Sequence, residues 1–259
     1  MDTEKLSALL SPDPPTIIAV PVTGSTNTDA RAYVTAHHPL SPVLFTADRQ
    51  TSGRGRQGKS FLSPAGGLYM TLALPTGREA AELIGSTSCA AAAAIRAIRS
   101  VSGAPCGIKW VNDLYLGGGK LGGILTESVN EGTRSLYLLI GIGINLTEAP
   151  TVTDSSVPAA SLAGYDCPAE SLCAALVREL LGQYAAGFDF ARCADEYRSC
   201  SLVIGRPITF RENGILRRGI AVSVEDDGAL RVRLTDGDVL LRGGEITVRL
   251  DETAPEVPT

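Results

Sequence analysis

The sequence predicts an α+β protein, in which a mixed sheet flanked by helices is followed by a small β-barrel. Before residue 204, strand-like and helix-like segments alternate with hairpins rather than as regular strand–helix repeats, which argues against a parallel doubly wound sheet. After Gly205, short β-branched runs recur at about ten-residue spacing between turn sequences. The composition, 44% hydrophobic and 20% charged, is that of a globular chain. We therefore expect a larger domain over residues 1–203, the small domain over 204–252 and a disordered tail over 253–259.

The first part of the chain predicts three strands and two helices. Residues 25–27 (Ser-Thr-Asn) precede a helical pattern that extends through Ala36, so their hydroxyls are interpreted as N-caps. Residues 78–102 are rich in alanine and isoleucine, lack proline and stop at Gly103, which indicates a long buried helix. Strands are expected over residues 17–21, 43–47 and 68–75, the last of which alternates at period two and ends at a proline.

The rest of the larger domain predicts a strand, a hairpin and more helices. Residues 107–116 are expected to form one continuous strand, which would place Lys109 and Asp113 on the same face. Three further expectations are a hairpin over residues 122–129 and 135–142, a mobile loop over 147–158 and helices over roughly 159–200.

Charge and composition exclude several classes of function. The net charge of −5 and a pI near 5.2 argue against a dedicated nucleic-acid binder. No apolar run of membrane-spanning length and no basic-then-apolar signal are apparent, so a cytoplasmic protein without membrane contact is expected. The six cysteines contain no Cys-x-x-Cys pair, which favours reduced, buried thiols over disulfides or zinc. The two histidines, His37 and His38, are expected to end a helix, so imidazole-based catalysis is disfavoured.

Residues 53–60 (GRGRQGKS) match two nucleotide-binding patterns that exclude one another. They read as Gly-x-x-x-x-Gly-Lys-Ser, a phosphate loop, and as Gly-x-Gly-x-x-Gly, a dinucleotide fingerprint. Both patterns need a helix directly after the loop, because free N–H groups at the helix N-terminus bind the phosphates. Here Pro64 and the following Gly66-Gly67 pair prevent a helix, and a strand follows. Both matches are therefore interpreted as coincidental.

The same loop concentrates positive charge in an acidic protein. Arg54, Arg56 and Lys59 stand between glycines that allow a close backbone approach to a ligand. A solvated basic turn would be the ordinary interpretation, but a second unusual segment lies downstream. Residues 107–127 combine the lone tryptophan, an Asn-Asp pair and Lys120 after three glycines. Together the two segments favour a ligand site over a solvated surface.

Four segments in order resemble the biotin protein ligases. They are STN at 25–27, GRGRQGKSFLSPAGGLYMTLALP at 53–75, KWVNDLYLGGGKLGGILTE at 109–127 and GIGIN at 141–145. The tail segments GRPITF, GALRV and GGEITV are similar to the SH3-like barrel that ends these enzymes. The resemblance implies a catalytic domain of the class II synthetase-like, biotin–lipoate ligase fold. Val111 stands where the family usually has proline, and we expect little functional consequence.

The resemblance implies that the protein makes biotinyl-5′-AMP from biotin and ATP. It would then transfer biotin to one lysine of a biotin carboxyl carrier protein, with Mg²⁺ accompanying ATP and no dedicated protein site for the metal. The catalytic residues implied are Lys120, Arg54, Arg56 and Asp113, the last orienting or deprotonating the carrier amine.

Contacts with each substrate are implied in the same way. The biotin contacts are Ser25, Thr26, Asn27, Gln50, Arg54, Gly55, Arg56 and Lys120, with Leu121 and Ile124 lining its ring and arm. The ATP contacts are Arg54, Arg56, Asn112, Lys120 and Asn145.

The partners and alternatives complete the expectations. Because the STN segment arrives by residue 25, we expect the form without a DNA-binding domain and no DNA partner. Exposed strand edges leave a homodimer open. A lipoate or octanoyl ligase or transferase of the same fold stays open as an alternative, as does a non-catalytic biotin sensor. A nucleic-acid binder that uses the arginine-rich loop is disfavoured by the net charge.

Overall fold

A seven-stranded mixed sheet lies at the centre of the larger part of the protein. The computed structural model describes residues 1–151, 157–212, 214–242 and 249–250. The strands of this sheet are β1 (Thr16–Thr23), β2 (Val43–Gln50), β3 (Gly67–Glu79), β4 (Gly107–Lys109), β5 (Asp113–Leu116), β6 (Gly119–Glu131) and β7 (Arg134–Asn145). Their spatial order is β1-β2-β3-β7-β6-β5-β4, and β1 and β2 pair in parallel while the other neighbours are antiparallel.

Helices cover both faces of this sheet and bury its apolar side chains. On one face, a cluster around Phe45 and Leu139 packs against Ala30 and Val34 of α2. On the other face, α3 and α4 pack against each other and against the sheet, and they close the larger core. The helices are α1 (Thr3–Leu9), α2 (Thr26–His37), α3 (Ser86–Ser102), α4 (Ala169–Ala185) and α5 (Ala194–Ser199), with short 3₁₀ turns over Arg56–Gly58, Ala80–Leu83 and Phe190–Arg192.

The buried helix α3 begins later than the sequence suggests. Alanines 90–94 are fully buried, so the helix backbone approaches its neighbours closely, and Gly103 ends it in the left-handed conformation. The predicted start at residue 78 is wrong, because β3 continues past Pro75 to Glu79. Pro75 still pairs with Tyr137 of β7, and the register of the two strands shifts between Pro75 and Arg78. The stretch Ala80–Ser102 is apolar enough to cross a membrane by length and composition, yet 67% of its apolar window is buried, as in a core helix.

The chain turns back at residues 110–112, where the sequence predicts a continuous strand. Strands β4 and β5 are antiparallel, and Lys109 pairs directly with Asp113 across the turn. The expectation of a single continuous strand is therefore wrong, although direct cross-strand partners still project to the same face of the sheet. The peptide bond between Trp110 and Val111 is cis. No glycine or proline marks this reversal, and the turn-favouring Asn112-Asp113 pair was the available signal.

The region after β7 is less helical than predicted. Helix α4 begins at Ala169, directly after Pro168, and residues 157–167 are not helical. Instead, Ala159 forms an isolated bridge with Lys120, and the Leu162 N–H donates to the Asn145 carbonyl at 3.0 Å. This segment therefore closes one end of the β6–β7 hairpin. Residues 152–156 of the predicted mobile loop lie outside the described residues, as do the predicted turn at Asn213, the Gly243-Gly244 turn and the tail.

The C-terminal part is a separate antiparallel sheet. Its strands are β8 (Pro207–Glu212), β9 (Ile215–Val224), β10 (Leu230–Leu234), β11 (Gly237–Leu241) and β12 (Arg249–Leu250), in the order β11-β10-β9-β8-β12. The Trp110 indole donates to the Gly228 carbonyl at 3.1 Å, and Arg198 donates to the Val224 carbonyl at 2.7 Å. The α+β prediction with a small C-terminal β domain is confirmed, whereas the boundary at 203/204 stays a prediction.

Candidate active site

A polar cavity of about 160 Å³ opens between the start of α2, the glycine–arginine loop and the middle of the β6–β7 hairpin. All but one of the residues to which the resemblance gives a polar contact or a catalytic role line it. These are Ser25, Thr26, Asn27, Gln50, Arg54, Gly55, Arg56, Asn112, Asp113 and Lys120. The remaining lining residues are Gln57, Lys59, Ser60, Phe61, Met70, Lys109, Trp110, Gly123, Ile124, Leu125, Gly141, Ile142 and Gly143.

The start of α2 forms the first end of the cavity. Ser25 occupies the N-cap position, but its side chain makes no capping hydrogen bond, so that part of the prediction is wrong. The side chain of Gln50 from β2 takes this role instead, since its Oε1 accepts from the backbone N–H of Thr26 at 2.9 Å and from its hydroxyl at 3.2 Å. The Gln50 amide nitrogen in turn donates to Ser63 Oγ at 2.9 Å. An N–H of this amide remains available to a ligand.

The Asn27 side chain is held on both sides of its amide. Its Nδ2 donates to the Leu125 carbonyl at 3.3 Å and to Glu127 Oε2 at 3.0 Å. Its Oδ1 accepts from the Thr71 hydroxyl at 2.6 Å. A Cβ at Gly141 would lie 2.0 Å from Asn27 Oδ1, so a glycine is required at this point of β7. These contacts fix the Asn27 side chain in the wall of the cavity.

The glycine–arginine loop folds back on itself as a narrow ribbon. The Gly55 N–H donates to the Lys59 carbonyl at 2.7 Å, and the Phe61 N–H donates to the Gly53 carbonyl at 2.8 Å. A Cβ at Gly53 would lie 2.3 Å from the Phe61 carbonyl oxygen. This close approach explains one glycine of the loop without any nucleotide motif.

The two arginines of the loop point to different partners. Arg54 donates from both terminal nitrogens to Glu127, at 3.1 and 3.3 Å. Arg56 Nη1 donates to Asn112 Oδ1 at 3.0 Å. Burial lowers the pKa of Arg56, and the nearby Asp113 carboxylate opposes this effect. A partly desolvated guanidinium interacts more strongly with an anion than one in bulk water.

Lys120 brings a third cation to the cavity from β6. Its ammonium donates to Asp113 Oδ1 at 2.8 Å, and the two side chains are 37% and 26% exposed. Backbone bonds to the segment after β7 fix the strand here, since the Lys120 N–H donates to the Pro158 carbonyl at 2.8 Å. Cations from two segments that are distant in sequence therefore line one cavity.

Two predicted contacts do not reach the cavity. Asn145 is buried behind it, and its Nδ2 donates to the Ala160 carbonyl at 2.8 Å. Its contact with ATP stays a prediction that this geometry does not favour. Leu121 is fully buried in the main hydrophobic core and does not line the cavity, so the expectation that it lines the biotin ring is wrong. Alternation along β6 turns this side chain away from the face that carries Lys120.

Several residues of the site were not anticipated. Glu127 and Thr71 organise the polar end, and the Phe61 ring lies where a Cβ at Gly143 would come within 2.5 Å of it. The alternating glycines of GIGIN were the available signal, since glycines in a strand mark close approach of other groups. Among the residues that the structure describes, no group of three or more His, Cys, Asp or Glu side chains could hold a metal ion.

Comparison with known proteins identifies the class. Residues 19–145 match the "Biotin/lipoate A/B protein ligase family" and residues 203–249 match the "Biotin protein ligase C terminal domain". The fold and site thus define a ligase of the biotin and lipoate class. Over 240 residues the chain is 31% identical to the biotin–[acetyl-CoA-carboxylase] ligase of Paracoccus denitrificans, covering 86% of this chain and 97% of the relative. The chain belongs to the biotin protein ligase family.

Further relatives agree with this assignment. The biotin–[acetyl-CoA-carboxylase] ligase of Mycobacterium tuberculosis is 29% identical over 232 residues, which are 86% of this chain and 85% of that protein. The biotin protein ligase of Aquifex aeolicus, solved with biotin and ATP, has a TM-score of 0.73 at 23% identity and covers 91% of this chain and 99% of its own. The Leishmania major enzyme, solved with biotinyl-5-AMP, has a TM-score of 0.63 at 26% identity, covering 88% of this chain and 99% of its own.

Proposed function

We propose that the cavity is where this biotin protein ligase joins biotin to ATP, and from which it passes biotin to a carrier lysine. The observation that carries this assignment is the convergence of Arg54, Arg56 and Lys120 on one cavity. The end at the start of α2 presents the uncharged hydrogen-bonding groups of Thr26 and Gln50. A ligand with a polar neutral head and an acidic tail matches this distribution, as biotin does.

The neutral end suits the ureido group of biotin. The Thr26 hydroxyl and the remaining Gln50 N–H offer an acceptor and a donor within a buried wall. Between the two ends, Ile124, Ile142 and Met70 present apolar surface for the ring and the valeryl arm. Specificity for biotin over an acid that lacks the ureido group then rests on hydrogen bonds to its N–H and C=O groups, because such an acid would leave these polar groups of the protein unpaired.

In the first step, a biotin carboxylate oxygen attacks the α-phosphorus of ATP. A new P–O bond forms, the bond to the β-phosphate oxygen breaks, and pyrophosphate leaves with the bonding electrons. Two anions must approach, so cations that contact both lower the repulsion and stabilise charge in the transition state. Lys120 supplies a compact charge beside the carboxylate, Arg54 supplies forked donors to the same carboxylate as biotin binds, and Arg56 supplies forked donors to phosphate oxygens.

Mg²⁺ fits this site only together with ATP. The neighbouring oxygen donors of the cavity are the Asp113 carboxylate and the Asn112 amide oxygen, a hard donor pair of the kind this ion accepts. One or two such protein ligands plus phosphate oxygens suffice for Mg²⁺, which otherwise keeps its waters. When bound, the ion would neutralise phosphate charge, while Lys120 and the arginines act on the carboxylate and the α-phosphate.

In the second step, a carrier lysine amine attacks the carbonyl carbon of the mixed anhydride. An amide bond forms, the C–O bond to phosphate breaks and AMP leaves, while the amine loses a proton. Asp113 is the carboxylate of the cavity, and its ion pair with Lys120 fixes its direction. We assign it to orient the amine, and a carboxylate accepts the proton only weakly.

The acceptor that we propose is the carrier protein of acetyl-CoA carboxylase. Two relatives that match most of this chain carry this carboxylase in their names. We further propose a cytoplasmic location, which suits six cysteines that are all unpaired in the structure.

Transfer of labelled biotin to a carrier domain tests the function. We expect the protein, with ATP and Mg²⁺, to label the wild-type carrier domain but not a carrier whose acceptor lysine is replaced by arginine. Tight biotin binding without label transfer would instead support a sensor. Labelling by lipoate in place of biotin would support the lipoate alternative.

A further inference from the structure

Glu127 connects two walls of the cavity. Its carboxylate accepts from Asn27 Nδ2 at 3.0 Å and from both terminal nitrogens of Arg54, at 3.1 and 3.3 Å. The side chain is only 18% exposed, and Arg31 lies 3.8 Å away on the same helix as Asn27. One carboxylate thus holds both the Asn27 amide, at the start of α2, and the Arg54 guanidinium, which is one of the cations of the cavity.

Hydrogen bonds continue from this carboxylate around the head-group end. The Asn27 amide accepts from Thr71, whose hydroxyl lies 2.8 Å from that of Thr26. Thr26 donates to Gln50, and Gln50 donates to Ser63 at the far end of the glycine–arginine loop. Both ends of that loop are therefore tied to the same short network, with Glu127 at the Arg54 end.

A carboxylate beside an anion site needs an explanation. Its charge would repel both the biotin acid and the α-phosphate, so it is unfavourable unless it provides something else. Arg54 stands between two glycines and its side chain is 47% exposed. Without the contact with Glu127, its guanidinium would sample many orientations. A two-point carboxylate contact restricts that fork to one orientation before the substrates arrive.

We propose that Glu127 is a positioning residue for biotin, and this role rests on the function proposed above. It fixes the Arg54 guanidinium relative to Asn27, so that a biotin seated at the neutral end meets a preordered cation at its acid end. Lys120, which lies next to Asp113, does not depend on Glu127 in the described contacts. The loss of Glu127 should therefore weaken biotin binding more than it slows the chemical step.

Steady-state adenylation separates this role from a structural one. We expect Glu127→Gln to raise the KM for biotin about tenfold while kcat stays within about threefold, because one charged pair is lost from binding and none from the reacting centre. The matched control is Glu131→Gln, which removes an exposed carboxylate from the same strand and should change neither constant. An unchanged biotin KM in Glu127→Gln, or an equal effect of Glu131→Gln, would overturn the proposal.

A double-mutant cycle tests whether Glu127 acts through Arg54. We expect the double variant Arg54→Ala/Glu127→Gln to have the same biotin KM as Arg54→Ala alone. If the two residues acted independently, the fold-increases in KM of the single variants would multiply. If the Glu127 variant does not fold, Arg54→Lys provides the test, because it keeps the positive charge but cannot form the two-point contact with Glu127. An unchanged biotin KM in Arg54→Lys would refute the pairing role. If the wild-type protein forms no adenylate, the proposed function itself is refuted. If the wild type is active and only the variants behave differently from expectation, the role of Glu127 alone is refuted.

Discussion

Lys120 is the residue whose replacement should have the largest effect on the chemistry. Its ammonium faces the cavity and is held by Asp113 at 2.8 Å. We expect Lys120→Ala to slow biotinyl-AMP formation by about 100- to 1000-fold, the usual loss when one transition-state donor is removed. Pyrophosphate release in a single turnover measures it. The control is Lys5→Ala, which replaces a lysine of α1. If the rate of Lys120→Ala were within threefold of the rate of that control, Lys120 would have another role.

Gly143 offers a test of packing at the scale of one methyl group. A Cβ there would lie 2.5 Å from the Phe61 ring, so Gly143→Ala should displace that ring and the loop behind it. We expect the biotin KM to rise about tenfold with a loss of about 1–3 kcal/mol in unfolding free energy. Gly182→Ala in α4 meets nothing within 4 Å and should be neutral or stabilising. Equal behaviour of the two variants would contradict the close contact.

At the scale of residues, the sequence predicts which residues line the site better than it predicts their hydrogen-bond partners. Ser25, Thr26 and Gln50 were all expected in one site, and all three line it. The hydrogen bond that caps α2 nevertheless comes from Gln50, which is distant in sequence, and not from Ser25. Local rules describe side chains within a few positions, so they contain no information about a partner brought in by the sheet.

At the scale of elements, the glycine–arginine loop is the part that should retain the intermediate. Arg56 connects this loop to the turn at residues 110–112 through its bond to Asn112 at 3.0 Å. We expect Arg56→Ala to release biotinyl-AMP into solution about tenfold faster, because one charge-assisted contact is lost from the closed loop. Leakage is followed by chase with unlabelled biotin. Arg192→Ala, on an exposed 3₁₀ turn, is the matched control, and equal leakage of both would contradict the role of the loop.

The elements also show where sequence reasoning reached its limit. The hairpin of β6 and β7 was predicted correctly, because period-two alternation and a Glu-Gly turn act locally. The reversal at residues 110–112 was missed, since it contains neither glycine nor proline and the turn-favouring Asn112-Asp113 pair was assigned to a strand. It is stabilised from outside, by the Tyr197 hydroxyl donating to the Val111 carbonyl at 3.0 Å and by the bond from Trp110 to the C-terminal sheet. Such contacts exist only in the folded molecule.

At the scale of the whole molecule, buried tyrosines contribute to the loss of stability at alkaline pH. Burial raises the pKa of Tyr69 and of Tyr115 to about 12, and the Asp113 charge adds to the effect at Tyr115. Since the folded pKa exceeds the unfolded one near 10, each tyrosine stabilises the folded state below pH 10, and this contribution is lost between pH 10 and about 12. We expect the Tm to fall across that window.

Replacement of one tyrosine isolates this effect. The Tyr69 hydroxyl donates to the Pro64 carbonyl at 2.8 Å, so Tyr69→Phe should be less stable at neutral pH by about 1 kcal/mol. Its Tm should nevertheless decline less steeply than that of the wild type between pH 10 and 12, because one titrating group is gone. Parallel declines in the two proteins would show that Tyr69 does not contribute to the pH dependence.

The architecture as a whole was the most predictable level. Four ordered motifs and the ten-residue spacing of the tail were enough for an α+β domain with a C-terminal β domain, and the two sheets confirm it. The connection between the two parts was not predictable, because it combines a shared hydrophobic cluster, to which Val224 contributes, with single bonds such as that from Arg198 to the Val224 carbonyl. Hydrophobic patterning reports which faces are buried and leaves open which buried faces meet.

Biotin-dependent exchange of labelled pyrophosphate into ATP tests most directly whether the converging cations hold a biotin carboxylate against the α-phosphate. Exchange requires reversible formation of biotinyl-AMP and no carrier protein. We expect exchange with biotin, none without it, and none with lipoate at the same concentration. Exchange that proceeds equally well with lipoate, or without any added acid, would contradict the assignment of this cavity.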